Sequence, residues 1–125
     1  MKRDDDLIRA LMLDLEQTSQ AITGEHKVEG FGRDQVAYHL AQIVRAGFAD
    51  GPEPRYSNSG GDPTIPQLVI ALRLTPEGHD FISSLRDATV WAKVKERTGR
   101  VAGGVSLAIL KEVAGAVLKQ QLGLT

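Results

Sequence analysis

From Gly32 to Phe48 the chain reads "GRDQVAYHLAQIVRAGF", in which Val36, Leu40, Ile43 and Gly47 recur at i, i+4, i+7 and i+11. Residues spaced in this way share one face of a helix, so the stretch predicts an amphipathic helix with that stripe inward, widened by Ala37 and Val44. Asp34, Tyr38, Gln42 and Arg45 fall on the opposite face, Gln35 and His39 on one flank, and Gly47 supplies the stop. Phe48 then opens a short strand. The segment that follows, "GPEPRYSNSGGDPTIP" from Gly51 to Pro66, holds too little apolar matter to pack and predicts a mobile surface loop. Beyond it, "QLVIALRL" (Gln67 to Leu74) sets Leu68, Ile70, Leu72 and Leu74 against Val69, Ala71 and Arg73, a period of two that predicts a strand. Strand, long loop and strand make a hairpin.

The flanking segments are helical. Asp4 to Gln20 places Ile8, Leu11, Met12 and Leu15 on one stripe, with aspartates at the positive end of the helix dipole. "TGEHKVEGFG" (Thr23 to Gly32) breaks that pattern and predicts a loop with at most a short edge strand. In "LTPEGHDFISSL", Thr75 takes the N-cap role and Pro76 the first helical position. Phe81, Ile82, Leu85, Ala88 and Ala92 predict the interior of a helix running to about Arg97, with Trp91 also covered. After "TGRVAGG" comes a last helix, capped by Ser106 and ended at Gly123, whose Ile109, Leu110, Val113, Ala114, Val117 and Leu118 form a broad apolar face. The fold class expected is α+β: a domain over residues 1–90, and a helical extension over 91–125 that packs on it or pairs two chains.

Composition narrows the function. With no cysteine, a disulfide framework, a thiolate zinc site and a Cys nucleophile are excluded together, and a reducing compartment fits. Three aspartates interrupt the N-terminal "MKRDDDLIRALMLDLEQ" where a signal peptide needs an apolar core, and no apolar run approaches the roughly 18 residues of a membrane span. The expectation is a cytoplasmic protein. Net charge is −3 over residues 1–50, −2 over 51–90 and +4 over 91–125, so the basic end is the C-terminal third. His26, His39 and His79 are scattered, none paired at the i, i+4 spacing of a helical metal site, and no nucleophile elbow or phosphate-cradling loop is present. We expect no enzyme activity, no metal and no cofactor.

The order helix, loop, helix ending in Ala-Gly-apolar, hairpin, then Thr-Pro-Glu-Gly opening another helix resembles the winged helix-turn-helix domain of many bacterial transcription regulators. "VAYHLAQIVRAGF" and "ALRLTPEGHDFI" carry that resemblance. More closely, "MKRDDDLIRALMLDLE", "VAYHLAQIVRAGF", "RLTPEGHDFISSLRDATVWAKVKE" and "LAILKEVAGAVLKQQLGL" look like the family called domain of unknown function 2513, found in bacteria and prophages. The resemblance implies a DNA-binding fold. If the Gly32–Gly47 helix docks as recognition helices do, Arg33, Gln35, Tyr38, His39, Gln42 and Arg45 approach base edges and phosphates, Arg55 serves from the wing loop, and Lys93, Lys95, Arg97 and Arg100 grip the backbone alongside. The expected function is therefore a DNA-binding, transcription-regulating protein. The alternative is a protein-interaction module that keeps the fold without the DNA activity. The last helix serves either reading as a core element or as the seam of a homodimer.

Overall fold

The computed structural model describes residues 1–57 and 60–124, and among them the fold is α+β, with five α-helices and two small antiparallel two-stranded sheets. Packing divides the chain into two compact units, Met1–His79 and Asp80–Thr125.

In the first unit α1 (Asp5–Gln17) starts where the Asp4 carboxylate accepts from the backbone N–H groups of Asp6 and Leu7. Leu7, Ile8, Leu11, Met12 and Leu15 are buried along it. A two-residue strand, β1 (Ile22–Thr23), leads to α2 (Arg33–Arg45), which opens with the Gln35 side chain reaching back to accept from the Gly32 N–H at 2.8 Å. Gly47, at φ +82°, turns the chain out of α2 in the left-handed conformation that glycine tolerates best. Then come β2 (Ala49–Asp50), β3 (Ile70–Ala71) and β4 (Arg73–Leu74).

The hairpin is more finely divided than its period of two suggests. β3 pairs with β1 in the register Ile22↔Ala71, whereas β4 pairs with β2 in the register Ala49↔Leu74. Leu72 sits at the change of partner and donates its N–H to Asp50 O at 2.7 Å. The switch alters which side of the strand faces inward: Val69, Ala71 and Leu74 are buried, while Leu68 and Leu72 are 46% and 44% exposed. An Arg55↔Leu68 bridge, with Pro54 and Pro66 buried beside it, carries the pairing into the expected loop. The middle of that loop, Asn58 and Ser59, lies outside the described residues.

α1 packs on α2 and on β4, and α2 on β2 and β3. Val36, Leu40 and Ile43 are 0–1% exposed in that core, each worth about 2 kcal/mol of apolar burial. The expected stripe is interred at Val36, Ala37, Leu40 and Ile43, while Val44 is half-buried and Gly47 exposed. His39 departs from expectation: it is 1% exposed, because it faces the start of α1. Its Nε2 accepts from the Asp4 N–H at 2.7 Å, so the proton sits on Nδ1, which donates to Gln35 O at 2.6 Å. Both ring nitrogens are spent inside the fold.

α3 (Pro76–Ser83) begins as expected, the Thr75 hydroxyl accepting from the Gly78 N–H at 3.1 Å. The helix does not run on to Arg97. Ser84 Oγ donates to Phe81 O, and Asp87, in an extended conformation, caps a separate helix, α4 (Ala88–Thr98), by accepting from Thr89 and Val90. Ala88 and Ala92 are consequently exposed, while Val90, Trp91 and Val94 form the buried face. In the second unit α4 packs on α5 (Leu107–Gln121), capped by Ser106 as expected, and Leu107, Leu110, Ala114 and Val117 are buried. Ile109, expected inside, is 44% exposed.

Two outcomes follow. A Cβ at Gly78 would run into the carbonyl oxygen of Phe48, so Gly78→Ala should destabilise the protein by about 2 kcal/mol or more, seen as a lower urea midpoint. Burial pushes the His39 imidazolium pKa below its ordinary 6.5, outweighing the Gln35 carbonyl and the Asp4 and Asp5 charges that favour the cation, with Arg3 also opposing it. Between the lowered value and 6.5 the unfolded chain holds the proton that the folded chain does not, so stability should fall on acidification through that window. Urea titrations at several pH values check this. His39→Leu should flatten the dependence and, by stranding the Asp4 N–H, cost about 1–3 kcal/mol at neutral pH; a pH slope unchanged in the variant would contradict the assignment.

Candidate functional site

The first unit presents the polar side of α2 together with the hairpin. Arg33, at the first turn, directs all three of its nitrogens into contacts: Nε to Glu25 at 2.8 Å, one terminal nitrogen to Asp34 at 3.4 Å, the other to Gln67 O at 3.4 Å. The Glu25 carboxylate leads in raising its pKa further. Arg33 thus ties the N-terminal end of α2 to the second arm of the hairpin. At the other end Arg45 meets Glu53 of the first arm at 3.5 Å and is hydrogen-bonded by Tyr56, which is the main reason that its pKa is raised. The hairpin brackets α2 at both ends, and helix and hairpin share one polar surface.

Each residue proposed from the sequence can now be placed. Arg33, Gln35, Arg45 and Arg55 are exposed, Tyr38 and Gln42 half-buried, and His39 interior and therefore removed from that surface. Gln35 is engaged as the cap of its own helix. Arg55 pairs through its backbone with Leu68, and among the described residues its side chain meets no carboxylate. Glu25 and Tyr56, which with Glu53 set the electrostatics of this surface, lie in Gly- and Pro-rich segments with no periodicity to read, and local spacing does not show that Glu53 pairs with Arg45. The first unit carries eight basic and twelve acidic side chains, a net −4.

The second unit holds the other candidates and is net +3. Lys93 donates to Gln121 Oε1 at 2.9 Å, Arg97 donates to Gln120 Oε1, and Arg100 pairs with Glu96 at 2.6 Å. These groups line a groove between α4 and α5 of about 410 Å³, with Val117 at its wall. Lys95 is exposed on α4 and does not line the groove. Among the described residues no group of three His, Asp or Glu side chains is placed to hold a metal ion, and no helix is long and apolar enough to cross a membrane.

Comparison with known proteins agrees with the resemblance read from the motifs. An uncharacterised protein of Haemophilus influenzae is 31% identical over 124 residues, covering 98% of this chain and 99% of that one. No solved structure matches. The family model described as "Hypothetical protein (DUF2513)" matches residues 2–105, and the chain belongs to that family.

Proposed function

We propose that the protein is a non-catalytic regulator of winged-helix type that binds double-stranded DNA through α2 and the hairpin. The observation that carries the reading is the bracketing of α2 by the hairpin: exposed Arg33 and Arg45 at the two ends of the helix, with half-buried Tyr38 and Gln42 between them, adjoin a hairpin that bears exposed Arg55. The pairing of β1 with the second hairpin arm and the packing of α1 on α2 support this reading, although among the described residues no helix lies between β1 and α2. The ion pairs on this surface do not forbid the role. Arg33 and Arg45 are 44% and 56% exposed in theirs, and exposed pairs are worth at most about 1 kcal/mol, so a phosphate can displace the carboxylate. Transcription regulation is the use we infer for such a surface.

A second reading, a protein-interaction module, is favoured by a different observation. The unit is acidic, and Leu68 and Leu72 stand exposed on the hairpin, which suits a protein partner better than a polyanion.

Gel-shift titration with pooled genomic fragments at several salt concentrations separates the two. With so few uncompensated cations, the DNA reading expects a shallow salt dependence, a log–log slope of about −2 to −3. Arg45→Ala and Arg55→Ala should weaken binding several-fold. Glu53→Gln should tighten it, because Arg45 is freed for phosphate. No retardation at low salt, or retardation indifferent to all three substitutions, removes this surface as a DNA reader.

A further inference from the structure

The groove between α4 and α5 differs electrostatically from the surface just described. Around α2 the arginines meet carboxylates; in the groove, Lys93 and Arg97 meet the neutral amide oxygens of Gln121 and Gln120. A neutral acceptor orients a cation without cancelling its charge. Only Arg100 is compensated, by Glu96, so Lys93, Glu96, Arg97 and Arg100 together leave a net +2 at one opening. Lys93, Glu96 and Arg97 stand on one side of α4 at i, i+3 and i+4, and Arg100 follows in the turn after the helix. Part of that charge offsets the negative end of the α4 dipole, yet a helix terminus amounts to only about half a unit charge, so most of the excess remains.

We propose that this groove binds a small phosphomonoester, of about nucleotide size, as an effector. The dianion, with a second pKa of about 6, matches the net +2 at neutral pH. Lys93 and Arg97 grip its oxygens, and the fork of the arginine allows two parallel bonds. Holding both long side chains by Gln120 and Gln121 before the ligand arrives reduces the rotamer entropy that binding would otherwise cost. Lysine has three N–H donors and arginine five, so both can donate to phosphate oxygens while the contacts to Gln121 and Gln120 persist, and the glutamine N–H groups remain available to the rest of the ligand. A volume of about 410 Å³ exceeds what inorganic phosphate needs and falls within the usual range of small-molecule sites. This inference is independent of what α2 and the hairpin bind.

The test is an NMR titration of the full-length ¹⁵N-labelled chain with inorganic phosphate, adenosine monophosphate, adenosine and a short DNA duplex, each at constant ionic strength. Saturable shifts of the Gln120 and Gln121 side-chain amide signals are expected with phosphate and, more tightly, with adenosine monophosphate, and none with adenosine. The double substitution of Lys93→Gln and Arg97→Gln, both exposed, should weaken binding at least tenfold. Gln121→Glu, which sets a carboxylate beside Lys93, should weaken it without removing a cation, and Lys111→Gln, outside the groove, should leave it unchanged. Shifts that survive the double substitution overturn the proposal. So do silence with both phosphate probes and saturable shifts with the duplex alone, the latter reassigning the groove to backbone phosphodiesters.

Discussion

The first unit depends on burying the Val36–Leu40–Ile43 stripe of α2 against α1 and the hairpin strands. That burial drives packing but is non-directional, and a stripe alone does not set how α1 meets α2. The hydrogen bond from the Asp4 N–H to His39 adds direction. It joins the N-cap of one helix to the middle of the other, and it satisfies a backbone donor that no turn of α1 can reach. A polar side chain on the core face is tolerable because both of its nitrogens are bonded, and the same bonding keeps it neutral.

With α2 fixed on one side, the opposite side has nowhere to go but outward, and the hairpin frames it. The two arms do not lie on α2 as an unbroken pair of strands. At Leu72 the second arm changes partner from β1 to β2, so it contributes one strand to each of the two small sheets. The change of partner leaves Leu68 and Leu72 outside. The exposure of Leu68 and Leu72 on the hairpin is thus a by-product of the strand pairing.

The two surfaces handle charge in contrasting ways. Around α2, Arg33 and Arg45 are compensated by Glu25, Asp34 and Glu53, and Arg33 also braces the backbone of the hairpin. In the α4–α5 groove Lys93 and Arg97 are oriented but not neutralised. A binding surface built from compensated arginines is selective because each new contact must replace an old one, whereas an uncompensated groove attracts any anion small enough to enter.

Local signals in the chain were sufficient for α1, α2, the Thr75–Pro76 start of α3, the Ser106 cap of α5 and the strand–loop–strand order, because caps, glycines and apolar period act between residues a few positions apart. Membership of the family was equally legible in its motifs. The break between α3 and α4 was readable only in hindsight: Asp87 is a good cap, but the apolar spacing runs through it, and the folded chain used the cap. Which side of 67–74 faces inward, the interior position of His39, the Glu25 and Glu53 partners of the α2 arginines, and the meeting of Lys93 and Arg97 with Gln121 and Gln120 belong to tertiary structure alone. Each joins groups from different elements, and such pairings arise only when the core brings those elements together, leaving no mark in local spacing.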